Sequence, residues 1–257
     1  MNKRKLRVSE FFYSIQGEGA TSGVPAVFLR LGGCNLLCGR QPNDQPTGFA
    51  TWECDTIDVW RKSKPYSAHE LVAHFLEYGY SVSLRRKAHL VLTGGEPLLQ
   101  QDVIPEFLDA LYEVVPDGIY IEVETNGTVL PSGEMLKRVS QWNISPKLKN
   151  SGQADSLRYR PDVLKSFSGQ RYVPYPFGLV SVFYKFVITR AEDWKEILSD
   201  FIDPGIVSPS QIILMPGAAS REALAEIRGF VVDLCKEHGV RYSSRLQLDI
   251  WDKATGV

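Results

Sequence analysis

The sequence predicts an α/β fold, a parallel sheet curled into a partial barrel of about six strands with a C-terminal extension. Short apolar runs alternate with helix-period segments through almost the whole chain, at the spacing of βα units. Parallel strands joined by right-handed helical crossovers are the physical solution to that pattern. The 257 residues are 44% hydrophobic and 23% charged, enough for one sizeable core.

LRVSEFFY (6–13) alternates as a strand, and the turn signal GEGATSGVP follows. PAVFLRLGG (25–33) reads as a buried strand that delivers the chain into a cysteine loop. An irregular insert at about 39–53 holds two prolines and no apolar periodicity. Ser67 is a predicted N-cap, with Glu70 completing a capping box. That helix runs to about Tyr78, buries Leu71, Val72, Phe75 and Leu76, and stops at Gly79. HLVLTGGEP (89–97) is a second barrel strand, followed by a helix from about Asp102 to Val115. GIYIEVETNG (118–127) is the third, Pro131 to Val139 a short helix, and QWNISPK (141–147) the fourth. Residues 150–180 are long for a connection and are expected as a solvated surface excursion. VSVFYKFVIT (180–189) is the fifth strand, AEDWKEILSDF a helix and QIILMPG (211–217) the sixth strand. Ser220 opens a long helix ending at Gly239, and VRYSSRLQLDIW closes as an extended segment.

The net charge of −1 argues against holding nucleic acid or a membrane by bulk electrostatics. No run of eighteen apolar residues suggests a transmembrane helix, and the basic start lacks the apolar stretch of a signal peptide. Three of the four cysteines share one loop, with three residues between Cys34 and Cys38 and fifteen between Cys38 and Cys54. They sit among Gly, Asn, Pro, Gln and Asp rather than in apolar periodic segments, unlike core thiols. Thiolates suit zinc or iron–sulfur clusters, and three leave a four-coordinate zinc or a four-iron cluster one ligand short. Such a loop is not a disulfide framework, and a reducing cytoplasm is the expected location. Cys34, Gly94–Gly95–Glu96, Glu124–Thr125–Asn126 and Ser145–Pro146–Lys147 each follow a strand. In parallel α/β folds those ends line one mouth, which is where ligands gather.

The cysteine loop, GGEP after the next strand, SIQGEG (14–19) and CDT together resemble the radical S-adenosylmethionine superfamily. Within it the chain is similar to the 7-carboxy-7-deazaguanine synthases over nearly its whole length. That resemblance implies a single radical S-adenosylmethionine core domain spanning 1–257. It implies a 4Fe–4S cluster on Cys34, Cys38 and Cys54, with S-adenosylmethionine chelating the fourth iron and cleaved to a 5′-deoxyadenosyl radical. Gly94, Gly95, Glu96, Glu124, Asn126, Ser145, Pro146 and Lys147 are the implied cofactor contacts, the glycines allowing close backbone approach. The implied substrate is 6-carboxy-5,6,7,8-tetrahydropterin, converted by radical ring contraction with loss of ammonia in the route to queuosine. Ile15, Gln16, Gly17, Glu18 and Thr93 would meet its edge, and Arg30 its carboxylate. Thr56 would offer oxygen to a substrate-bound Mg2+.

The sequence departs from the pattern in three places. The second cysteine gap is fifteen where the superfamily has two, although expanded loops occur among these synthases. Asp249 stands where relatives tend to carry a substrate-contacting histidine, and the 150–180 excursion has no counterpart role. The resemblance also implies a homodimer and an electron donor such as flavodoxin or ferredoxin. Two other classes compete: a glycyl-radical activating enzyme acting on a partner protein, and a non-enzymatic zinc module using one of the four histidines. His69 and His74 fall on the first predicted helix, as surface residues.

Overall fold

The computed structural model describes residues 4–168, 172–173, 178–254 and Gly256. Its first half runs β1 (Leu6–Ile15), β2 (Pro25–Leu31), α1 (Ile57–Trp60), β3 (Lys64–Tyr66), α2 (Ala68–Glu77), α3 (Tyr80–Arg85), β4 (His89–Gly94), α4 (Ile104–Val114) and β5 (Ile121–Thr125). It continues with α5 (Gly133–Arg138), β6 (Gln141–Ile144), α6 (Asp155–Arg158), α7 (Pro161–Ser166), β7 (Tyr172–Val173), β8 (Gly178–Leu179) and β9 (Ser181–Ile188). Then follow α8 (Ala191–Ile197), β10 (Ile212–Pro216), α9 (Arg221–His238), β11 (Arg241–Tyr242) and α10 (Leu246–Trp251). Nine strands form one sheet in the order β11-β10-β9-β6-β5-β4-β2-β1-β3. The six expected barrel strands, β2, β4, β5, β6, β9 and β10, are parallel throughout. β1 and β3 add an antiparallel edge, so the sheet stays open.

Alternation along each strand divides the two faces. Val27, Leu29, Leu90, Leu92, Ile121, Val123, Trp142, Ile144, Phe186 and Leu214 point to the helical layer and join the main core. The opposite, concave face carries Arg30, Thr93, Glu122, Glu124, Asn143 and Lys185 beside a small apolar cluster of Ala26, Phe28 and Val91. Deep on that face the buried Glu122 carboxylate is held by His89, Thr21, Gln141 and Asn143. A polar inner wall on an apolar outer one is what a barrel that holds a ligand requires.

The Ser67 capping box forms in both directions, Ser67 N donating to Glu70 Oε2 at 2.6 Å and Glu70 N to Ser67 Oγ at 3.3 Å. Leu71, Val72 and Phe75 are buried as expected, but Leu76 is 50% exposed. The buried stripe of α2 runs through Ala68, Leu71, Val72 and Phe75, and Leu76 lies one step around the helix beyond it. The helix expected over 191–201 is α-helical only to Ile197, and Leu198–Ile202 form a π turn. The closing segment is extended only at Arg241–Tyr242 and then becomes α10. Its Leu246, Leu248 and Ile250 mimic strand alternation, while the amides of Leu248 and Asp249 bond back to Arg245.

The excursion is not simply a solvated surface. Val163, Leu164 and Phe167 enter the core, and the Phe167 ring meets Trp142 at 5.0 Å. Residues 169–171 and 174–177 of the excursion lie outside the described residues. Among the described residues no helix is long and apolar enough to cross a membrane.

Phe107 of α4 is fully buried, with its ring 5.4 Å from Phe75. Phe107→Ala should lower the unfolding free energy by about 3–5 kcal/mol in urea titrations, because the cavity cannot collapse between two packed layers.

Candidate functional site

Register places Leu31 beside Gly94, Thr125 beside Ile144 and Pro216 beside Ile188, so the C-terminal ends of the parallel strands share one rim. There the concave face opens into a cavity of about 650 Å3, the size of a small-molecule site. Of the cofactor and substrate residues expected from the sequence, all line it except Glu96 and Pro146, which are buried outside its wall.

The glycines after β4 have a packing reason. A Cβ on Gly94, whose φ is +144°, would lie 2.2 Å from the Leu31 carbonyl oxygen. One on Gly95 would lie 2.1 Å from the Gly33 oxygen and 2.7 Å from Cys34 Cβ. The close approach is therefore to the end of β2, and it seats the first cysteine. Glu96 completes the joint: its carboxylate accepts from Leu98 N at 3.0 Å, Thr125 Oγ1 at 2.8 Å and Asn126 N at 2.7 Å. Burial pushes its pKa up, against those hydrogen bonds. Asn126 in turn donates to Asn35 Oδ1 at 2.9 Å, with Cys34 Sγ 3.9 Å from the same nitrogen.

Cys34, Cys38 and Cys54 face the same end of the cavity. Burial pushes the Cys34 thiol up to about 11 and the Cys38 thiol up to about 12. Ligation requires thiolates, and the charge of a bound metal group supplies what burial withholds. Among the described residues no three His, Cys, Asp or Glu side chains converge on a single ion. Three cysteine sulfurs at one end of the cavity are the soft donors that would hold an iron–sulfur cluster. The donor set therefore fits a cluster. Thr56 precedes α1 without capping it, and its Oγ1 lies 3.5 Å from Cys54 Sγ at the cavity wall. Lys147 Nζ donates to Ser145 O and Oγ, both at 2.8 Å, and lies 5.8 Å from the centre of the Trp52 ring.

The SIQGEG loop lies across the open side of the barrel. Gln16 is buried, donating to Glu124 Oε1 at 3.1 Å, while Thr93 Oγ1 donates to Glu124 Oε2 at 2.7 Å. Gly17 accommodates Gln247, whose Oε1 would stand 2.1 Å from a Cβ there. Glu18 has both oxygens engaged, by Lys185 on one side and by Arg245 at 3.0 Å and Gln247 at 2.6 Å on the other. Burial opposes its ionisation, but Lys185 and then Arg245 override this and hold it far below the usual carboxylate range. Arg245 also reaches Asp55 and the Ala218 carbonyl, joining four segments. Arg30 gives its Nε to Glu10 Oε1 at 2.7 Å. Asp249 accepts from Ser244 Oγ at 2.9 Å and stays off the cavity, whose wall there is Leu248, Trp251 and Asp252.

Sequence reasoning missed Lys185, Arg245, Asp55, Gln247 and Asn143, all in this wall. Lys185 carried the signal that singled out Arg30, a cation inside an apolar strand. Arg245 and Gln247 lay in the segment read as extended.

Glu18→Gln leaves Lys185 buried without its ion-pair partner and Arg245 with Asp55 alone, and should cost about 3 kcal/mol in denaturant titrations. A carboxylate with a lowered folded-state pKa adds stability above its unfolded value, near 4.5, and loses it as pH falls toward the lowered one. The variant should therefore lose less unfolding free energy than the parent between about pH 5 and about pH 3.

No family model matches the sequence. The chain is 31% identical over 262 residues to the 7-carboxy-7-deazaguanine synthase of Halobacterium salinarum, covering 97% of this chain and 91% of that protein. It is 32% identical over 254 residues to the 7-carboxy-7-deazaguanine synthase of Pyrobaculum aerophilum, covering 98% and 97%. Among solved structures, QueE from Escherichia coli has a similar fold, with a TM-score of 0.58 and 24% identity over 93% of each chain. Likeness at this identity and over nearly the full length of both relatives places the chain in the 7-carboxy-7-deazaguanine synthase family.

Proposed function

We propose that the cavity converts 6-carboxy-5,6,7,8-tetrahydropterin to 7-carboxy-7-deazaguanine with loss of ammonia, as a radical S-adenosylmethionine lyase of queuosine biosynthesis. The observation that carries this is the meeting of three thiols, the Ser145–Lys147 segment and the SIQGEG loop in one cavity. The 257 residues act as one core domain in this reading. When bound, a 4Fe–4S cluster and S-adenosylmethionine supply the hydrogen-abstracting radical.

The chain's own residues bind and orient. Cys34, Cys38 and Cys54 hold the cluster, and the backbone at Gly94 and Gly95 with Glu124, Asn126, Ser145 and Lys147 faces the sulfonium cofactor. Glu96 and Pro146 act from behind that wall. Ile15, Gln16, Gly17 and Thr93 flank the pterin, with Glu18 holding their loop in place. Glu10 takes only the Nε of Arg30, and the two Nη atoms suit a substrate carboxylate. Thr56 Oγ1, unused as a helix cap, is a hard oxygen suited to Mg2+. The reading brings with it an electron donor such as flavodoxin or ferredoxin, a homodimer and a cytoplasmic location. A glycyl-radical activating enzyme and a zinc module are both disfavoured by full-length relatives named as synthases.

Anaerobic incubation with the carboxypterin, S-adenosylmethionine, Mg2+ and a reductant should change the pterin absorbance and yield the deazaguanine. No change with a competent cluster would overturn the reading. Replacing Cys34, Cys38 or Cys54 with Ala should abolish cluster assembly measured as iron per chain. Cys235→Ala should retain it, since Cys235 is buried on α9 with its Sγ 3.4 Å from Arg241 O. Thr56→Ala should weaken Mg2+ stimulation of turnover and leave the cluster absorbance unchanged. Undiminished Mg2+ dependence removes that ligand.

A further inference from the structure

Two features of the sequence had no place in the chemistry: the fifteen-residue gap before Cys54 and the excursion that begins at Asn150. The structure brings them together. Leu37 N donates to Gln153 Oε1 at 3.2 Å, and Gln153 Nε2 returns a bond to Leu37 O at 2.8 Å. Gly39 N donates to Ser151 O and Thr51 N to Asn150 O, each at 2.9 Å. Trp52 Nε1 donates to Asn150 Oδ1 at 2.8 Å. Gly152 has φ +71°, and a Cβ there would stand 2.4 Å from Thr47 Oγ1 and 3.0 Å from Ala50 Cβ. The loop thus touches residues 150–153 near its start, its middle and its end.

Residues 149–153 are themselves fixed from below. Asn150 is fully buried, and its Nδ2 donates to Val187 O at 2.8 Å. Lys149 N donates to Glu196 Oε1 and Oε2, and the buried Arg158 joins Glu196 at 2.8 Å and Lys147 O at 2.8 Å. The insert closes on itself through Thr47 N to Gly39 O at 2.9 Å and Gln41 N to Gln45 O at 2.8 Å, but none of residues 40–53 is buried. Residues 41–46 are exposed, and the Phe49 side chain is 78% exposed. Such turns are exposed to water, and a loop of this length without an apolar face gains further order from the surface it docks on.

We propose that residues 149–153 are a template that folds the expanded loop and returns Cys54 to the thiol trio, with Asn150, Gly152 and Gln153 as its positioning residues. The proposal rests on the reading that Cys34, Cys38 and Cys54 hold a cluster. Cys54 N reaches Cys38 O at 3.1 Å only because the intervening residues close back on themselves. The template sets where that closure lies, and it begins two residues after Lys147, which lines the cavity. The second and third thiols and the cofactor-facing lysine are in this way referenced to one rigid piece of backbone.

The test uses Gln153→Ala and Gly152→Val in the full-length chain. Gln153→Ala removes two hydrogen bonds at a partly exposed position and preserves the fold should the valine prove disruptive. Hydrogen exchange followed by mass spectrometry should show peptides within 37–54 exchanging about tenfold faster in Gln153→Ala, the effect of two lost hydrogen bonds on local opening. Peptides from β5 should be unchanged. In reconstituted protein, iron should pass to a chelator several-fold faster than from the parent. Parent-like exchange across 37–54 in a folded variant overturns the template. A parent chain that takes up no iron instead overturns the cluster reading, and leaves the exchange experiment to decide the template alone.

Discussion

The backbone of Gly95 lies against Gly33 and Cys34 with no room for a side chain, and Gly94 lies equally close to Leu31. This contact fixes where β2 ends relative to β4. Glu96 then ties the same turn to Thr125 and Asn126 at the end of β5. Three strand ends are locked into one rim by one tetrapeptide, and Asn126, Asn35 and Cys34 follow from it. The carboxylate that makes the joint is fully buried yet satisfied by three donors, which is how so polar a group is tolerated there.

Electrostatics on the concave wall follow a similar logic. Lys185 and Arg245 are buried cations, and Glu18 answers both. Such an arrangement contributes little net stability, because desolvation offsets most of the attraction, but it is costly to break. What it secures is geometry. The loop bearing Gln16 and Gly17 is held across the gap between β1 and the C-terminal segment, a gap that the hydrogen bonds of an open sheet leave unbridged.

The six parallel strands were legible because each is a short apolar run ending in glycine or polar residues, and the rim residues were legible because they sit at those ends. The capping box of α2 and the Ser220-to-Gly239 helix were equally plain, since caps are local chemistry. What escaped was non-local or ambiguous. LQLDI alternates like a strand, and only its contact with Gly17 and Arg221 settles it as helix. Leu76 shares the composition of the buried stripe but not its angle. Lys185 and Arg245 acquire meaning only beside Glu18, more than 160 residues away along the chain.

The backbone partners of the cysteine loop, Asn150 and Ser151, belong to a connection, and the Thr51 hydroxyl reaches Thr189, just past the end of β9. None of these anchors is a strand residue. Insertions or deletions between residues 41 and 49 can therefore accumulate without disturbing the pairing of any two strands. The length of the cysteine loop is thus uncoupled from the scaffold, and the approach to that end of the cavity can be remodelled around the same sheet.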